Sequence, residues 1–440
     1  MRISWESLRA SMWFWPMSAS LLALVLTLAL MPIQSPVGHQ SWLWPGDAAG
    51  ASALVQLVGT AVMAAATLTF SITVVALQLA SQQFSPRLLR EFARDPVTQA
   101  VLAVMLSTFV VSLTALRGIR TEQPLPVAVI VLVYVLGIAS AGALLAFVGH
   151  LVRTLRVDTM MVAVHQEASR TIAQTYPGYG DTSKKPESGL EQHVKGTVFG
   201  AARSGFVREI HPEVLVEVAH KHDLIVRLDV RPGDHVVAGA PLGIVWGKGA
   251  APNAVKAVSD RAAVAIEIGS ERTSDQDVAF GLRQLTDIAV KAISPGINDP
   301  VTAATSLGHS ADLLTQLQSR QLGTQAHHDA AGNVRVLTPD RDHRYYLDLV
   351  CAPVRRYGSR EPIVLTALLR LLRDCARTAR DEEQRQEIRR QRDLVLAGIA
   401  DEVVPADRDL IADLADRVEQ VIEGEVARGY RDRAGETRSF

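Results

Sequence analysis

Charged side chains are nearly missing from the first third of the chain, and this limits what that segment can fold into. Residues 1–152 hold 7 of the 45 Lys and Arg and 5 of the 46 Asp and Glu. No charge lies between Arg9 and Asp47, nor between Asp47 and Arg87. About 20 apolar residues are enough to cross a hydrocarbon core of roughly 30 Å at 1.5 Å per residue. Phe14–Ile33 meets that length, with Trp13, Trp15, Trp42 and Trp44 near its ends, where indoles favour the bilayer interface. Arg2 and Arg9 ahead of an apolar run also fit a cleaved signal peptide. The run is long for a signal core and no small-x-small site follows Met31, so a retained helix is expected. The uncharged stretch Ala48–Pro86 and the apolar runs Val97–Leu116 and Val127–Val148 bring the expected spans to four.

Basic residues set the expected orientation. Arg2 and Arg9, then Arg87, Arg90 and Arg94, then Arg153 and Arg156 flank one side of these spans. Arg117 and Arg120 alone flank the other. The bias places both termini in the cytoplasm, with residues 153–440. Ser85-Pro86 and Asp95-Pro96 are helix-start pairs, and between them Leu88, Leu89 and Phe92 alternate with the arginines. This reads as a short interfacial helix whose Arg87, Arg90 and Arg94 face lipid headgroups, or else as a solvated turn.

The second span carries a pattern of its own. Gln56, Thr60, Thr67, Ser71, Gln78 and Gln82 recur at steps of four and seven, about 3.7 residues per turn, and so share one helix face. A polar stripe of that length is costly against lipid. It is expected either to line a permeation path or to pack against other helices through small and hydroxyl-bearing residues.

From residue 153 onwards charge is abundant and balanced. Residues 153–194 read as a helical extension and linker, 195–258 as a small β module, and 259–440 as a mainly helical domain. The module's expected strands are Lys195–Phe199, Gly205–Ile210, Val214–Val218, Leu224–Val230, His235–Val237 and Pro241–Trp246. The segment Val230–Gly243 is similar to the turn-and-hammerhead piece of biotinyl/lipoyl-like barrels. No lysine lies between Lys221 and Lys248, so a swinging-arm role is not expected. A small-residue loop, Gly247–Ser259, leads to an apolar run, Ala262–Ile268, and a helix over 275–293. Ser294-Pro295-Gly296-Ile297-Asn298-Asp299-Pro300 breaks that helix and starts the next. Asp287, Lys291, Asn298 and Asp299 are ligand-site candidates there, and helix capping is the competing reading. Three amphipathic helices are expected near the C-terminus: Pro362–Arg380, Glu382–Ile399 and Arg408–Ala427. The expected fold class is thus an α-helical membrane domain of four transmembrane helices plus a cytoplasmic α+β domain, with a small barrel-like module and C-terminal helices.

Several chemistries find no support in the sequence. Cys351 and Cys375 are the two cysteines, too few for a disulfide framework or a cysteine-rich zinc site. Net charge is −1, which gives no electrostatic case for nucleic acid. Phosphate-loop, HExxH and GxSxG patterns are absent. His220/His222 and His327/His328 have no second pair of ligands at suitable spacing, so neither a metal nor a cofactor is expected.

Three segments carry a family resemblance: WESLRASMWF at 5–14, TFSITVVALQLASQQFSPRLLR at 69–90, and FGLRQLTDIAVKAISPGINDP at 280–300. They resemble the bacterial predicted membrane proteins called domain of unknown function 2254. The resemblance covers almost the whole chain and implies an inner-membrane protein with four N-terminal helices and a cytoplasmic domain. It carries no established activity, so no catalytic residue follows from it. Two functional readings remain open. One is a homo-oligomeric channel for ions or small solutes, lined by the second span. The other is a membrane-anchored sensor or scaffold for a cytoplasmic ligand or protein. A lipid-modifying enzyme is least favoured, because no nucleophile–base pair is found.

Overall fold

The computed structural model describes residues 14–33, 44, 47–83, 95–120, 124–154, 156–181, 190, 195–248 and 250–431. It divides into two compact units, residues 1–160 and 161–440.

In the first unit, α1 (Phe14–Leu30), α2 (Ala48–Gln83), α3 (Pro96–Gly118) and α4 (Val127–Thr154) form a helical bundle. Ala48–Ala76, Pro96–Gly118 and Val127–Arg153 are long and apolar enough to cross a membrane. The helix expected over Phe14–Ile33 is shorter, 17 residues, because Met31 and Pro32 sit in a turn that ends it. Small residues set the bundle's spacing. A Cβ at Gly59 would come within 3.1 Å of the Ser112 Cβ, and one at Gly137 within 3.1 Å of Val58. Thr108 Oγ1 and Ser140 Oγ, 2.9 Å apart, join α3 to α4, and Thr69 Oγ1 donates to Met105 Sδ to join α2 to α3. Without a hydrophobic drive between helices in lipid, such contacts hold a bundle together. Asp95 caps α3 as its Asp-Pro pair predicts, accepting from the Thr98 amide at 2.9 Å, and also takes the His150 Nε2 of α4 at 3.0 Å.

The second unit follows α5 (Val157–Thr175), whose residues from Met161 onwards belong to it. β1 (Thr197–Gly200), β2 (Gly205–Ile210), β3 (Leu224–Leu228), β4 (His235–Val236) and β5 (Pro241–Gly247) fall where the alternation places strands. Val214–Val218, expected as a strand, lies instead in helix α6 (Pro212–Lys221). Pro212 stands at its first turn, and Leu215, Val218 and Ala219 fall on one buried helical face. Gly247–Ser259, expected as a loop, is mostly helix α7 (Pro252–Ala265), which buries Ala254, Val258, Ala262 and Ala265. The following strand β6 (Ile266–Gly269) takes only the end of the Ala262–Ile268 run.

The module is two sheets rather than a barrel. β4-β2-β6 is one antiparallel sheet, and the other has the order β1-β5-β3-β8-β7, with β7 at Gln325–His328 and β8 at Val334–Thr338. The hairpin of β7 and β8, from further along the chain, lays β8 parallel against β3 and widens the sheet instead of closing it. Val207, Leu215, Leu224, Val226, Leu228, Val245, Val258 and Val336 make its core. Helices α8 (Val278–Ala292), α9 (Pro300–Gln318), α10 (His343–Tyr357), α11 (Pro362–Thr378), α12 (Glu382–Ala397), α13 (Pro405–Ile422) and α14 (Val426–Gly429) complete the unit. At their centre α11 is buried nearly all round, through Leu365, Leu368, Leu369 and Leu372.

Candidate functional site

The polar stripe of α2 lies on the outside of the chain's own bundle. Gln56, Thr60, Thr67, Ser71 and Gln78 are all exposed. Gln82 is in the helix, but its side chain lies outside the described residues. The face that packs inward is carried by Ala51, Val55, Val62, Thr69, Thr73 and Ala76, about 190° round the helix from the stripe. The stripe's hydrogen bonds are local. Thr67 Oγ1 donates to Met63 O and Ser71 Oγ to Thr67 O, both at 2.9 Å, and Gln56 Nε2 donates to Ser52 Oγ at 3.2 Å. Within the chain, the hydrogen bonds of the stripe therefore do not hold helices together. Thr69, Thr108, Ser112 and Ser140 do that, and sequence periodicity did not single them out.

The turn at Ser294–Pro300 accounts for its own polar groups. Asn298 takes the left-handed conformation (φ 52°), and its amide donates to Ser294 O at 2.9 Å. Asp299 caps α9: its Oδ1 accepts from the Thr302 amide at 3.0 Å and its Oδ2 from Thr302 Oγ1 at 2.6 Å. Those bonds hold the Asp299 carboxyl below the usual carboxylate range. Asp287 and Lys291 are one turn apart on α8, both half-buried, and Asp299's amide reaches Ala292 O at 2.8 Å. The four candidates are neighbours through the helix–turn–helix itself, and the capping reading explains Asn298 and Asp299. Arg87, Arg90 and Arg94, the headgroup candidates, lie outside the described residues.

A cavity in the second unit was not anticipated. It measures about 440 Å³ and is lined by Glu209 at the end of β2, Glu213 on α6, Asp275 ahead of α8, Asp340 after β8 and His327 on β7. Gln174 and Thr175 of α5 form another wall, and no Lys or Arg is among the lining residues. His211 stands 3.5 Å from both Glu209 and Glu213. The Asp340 side chain is 14% exposed. Burial pushes its carboxyl above the usual range, although the Arg341 guanidinium lies 3.8 Å away and works the other way. Arg341 is shared, with Asp277 at 3.4 Å and the Pro232 carbonyl at 2.9 Å. Behind Asp340 the Tyr176 and Tyr346 hydroxyls are 2.6 Å apart. Tyr176 follows α5 directly, next to the Gln174 and Thr175 that line the cavity. The lining comes from segments 174 to 340, each contributing one or two polar residues, and no local motif could reveal it.

The family model for predicted membrane proteins, DUF2254, matches residues 9–374. The chain belongs to that family. Curated relatives include uncharacterized proteins of Mycobacterium bovis and of two strains of Mycobacterium tuberculosis. Each is 33% identical over 402 residues, covering 90% of this chain and 77% of the relative. No solved structure gives a significant match. Family membership agrees with the three helices of membrane-spanning length and composition, and it names no activity.

Proposed function

We propose that this DUF2254 protein is a homo-oligomeric, channel-like protein of the bacterial inner membrane, lined by α2. It has four spans, both termini in the cytoplasm, and a cytoplasmic unit that gates or assembles the path. One observation carries this reading. Five polar side chains occupy the α2 face that turns away from the protomer's own bundle, opposite its apolar packing face. Hydroxyls bonded to their own helix are tolerable in lipid, but the carboxamide of Gln56, inside the apolar stretch Ala48–Ala76, is not cheap there. Further copies enclosing water, or packed directly over the stripe, relieve that cost. α1, at 17 residues, rises about 25 Å, short of the hydrocarbon thickness by an amount that bilayers accommodate locally.

The test is ion flux through the purified chain in liposomes. We expect flux from the wild type and its loss in the double variant Thr67→Leu/Gln78→Leu, which removes the polar groups at the stripe's middle and end. Equal flux from both proteins would remove α2 as the lining.

The cavity favours a second reading, a sensor. Four carboxyl groups without a lining Lys or Arg suit a small organic cation. Such a ligand stabilises the folded state by mass action. A panel of amines is expected to contain members that raise the unfolding temperature of the wild type but not of Asp340→Asn. The same rise in both proteins, or none at all, would discard the cavity as a site.

A further inference from the structure

The first unit contains a crevice of about 250 Å³ between α1, α2 and α3. Pro16 of α1, Met63, Ala66 and Phe70 of α2, and Leu102 and Leu106 of α3 line it. Its lone hydroxyl belongs to Thr67, a stripe residue, and that hydroxyl is already donated to Met63 O. We propose that the crevice binds one acyl chain of a bilayer phospholipid, seated against the helix that carries the polar stripe.

Three observations identify the occupant. Met63–Phe70 lies well inside the apolar stretch Ala48–Ala76, so the medium at that depth is hydrocarbon. The lining offers no set of polar groups to a water, which needs two to four partners, or to a headgroup. Left empty, the walls would forfeit dispersion contacts that interiors normally make. An unbranched, flexible chain fills a narrow apolar crevice with little strain. A second copy of the protein is the competing occupant. However, Met63, Ala66 and Phe70 sit about a quarter turn round α2 from the stripe. A copy packed over the stripe leaves the crevice on its flank, open to lipid.

The site deepens the channel reading, on which only its consequence for flux depends. A chain lying on Phe70 and beside Thr67 braces α2 against α1 and α3, so exchanging it changes how firmly the lining helix is held.

The experiment uses the full chain in phosphatidylcholine liposomes containing a phosphatidylcholine with a diazirine in the middle of one acyl chain. After illumination, adducts are located by peptide mass spectrometry. The expected result is labelling concentrated at 63–70 and 102–106, persisting after brief detergent exchange, when the more exposed Leu57 and Leu145 have lost their label. Ala66→Phe should remove the crevice adducts alone. Leu106→Trp fills the same space from α3 and serves if the first variant does not fold. Crevice labelling that matches Leu57 and Leu145, or that survives both filling variants, would overturn the proposal. So would an unlabelled crevice in which Met63→Cys forms disulfide-linked dimers, since a second copy would then fill it. Flux lost or kept in Thr67→Leu/Gln78→Leu bears on the pore alone, and the adduct pattern bears on the crevice alone.

Discussion

His343 begins α10 directly after the capping Asp342, whose Oδ1 accepts from the Tyr345 amide at 2.8 Å. The ring is 8% exposed, and neither of its nitrogens has a hydrogen-bond partner among the described residues. Burial lowers its pKa from the ordinary 6.5 to about 4, against the opposing fields of Asp381, Glu387 and Asp342. A folded-state value below the unfolded one means that the unfolded chain takes up the proton first as pH falls. Stability is therefore unaffected above pH 6.5, declines between about 6.5 and 4, and levels off below. The full penalty is about 3 kcal/mol at 1.36 kcal/mol per pKa unit. His343→Leu is expected to lack this decline, so its unfolding temperature should fall less than that of the wild type between pH 6.5 and 4. Parallel profiles for the two proteins would show that His343 is not the group responsible. At this scale the sequence was informative where chemistry is local. Asp95 and Asp299 each precede a proline, and both turn out to be caps. It was silent on His343 and Asp340, whose properties come from burial by segments far away along the chain.

Elements were legible where their periodicity lay in one unbroken run. The apolar stretches became α2, α3 and α4, and the alternating segments became β1 to β5. Val214–Val218 failed because Val-Leu-Val is β-type in composition, whereas Pro212 and the spacing of Leu215, Val218 and Ala219 fit a helix. Gly247–Ser259 failed for the opposite reason. Its alanines looked like loop filler, yet Ala254, Val258, Ala262 and Ala265 recur at steps of three and four and make one buried helical face. β7 and β8 were not anticipated at all. Their hairpin makes sense only beside β3, a hundred residues earlier, and such long-range pairing leaves no periodic trace in a single sequence. The same limit applies to the cavity they help to line. Its carboxylates are ordinary surface residues in sequence and become a group only when β2, α6 and β8 are assembled.

For the whole molecule, the open question is what covers the α2 stripe, and the inward face of that helix narrows it. Val55, Val62 and Thr69 are already packed against α3 and α4, and Ala51, Thr73 and Ala76 are buried on the same face, so turning α2 to hide the stripe would expose them. Thr60 and Ser71 are exposed to whatever surrounds the bundle: water, another copy or lipid. The native thiols cause little interference, since Cys351 and Cys375 are both fully buried. Single cysteines at Thr60 and Ser71 are expected to react with a hydrophilic thiosulfonate in native membranes and to form disulfide-linked dimers under mild oxidation. A cysteine at Leu145, 76% exposed on α4, should do neither, because that face meets hydrocarbon. Dimers without thiosulfonate reactivity would mean a dry interface between copies and a structural stripe. Inertness at both Thr60 and Ser71, like that of Leu145, would place the stripe in lipid and leave the cavity of the second unit as the protein's better-supported site.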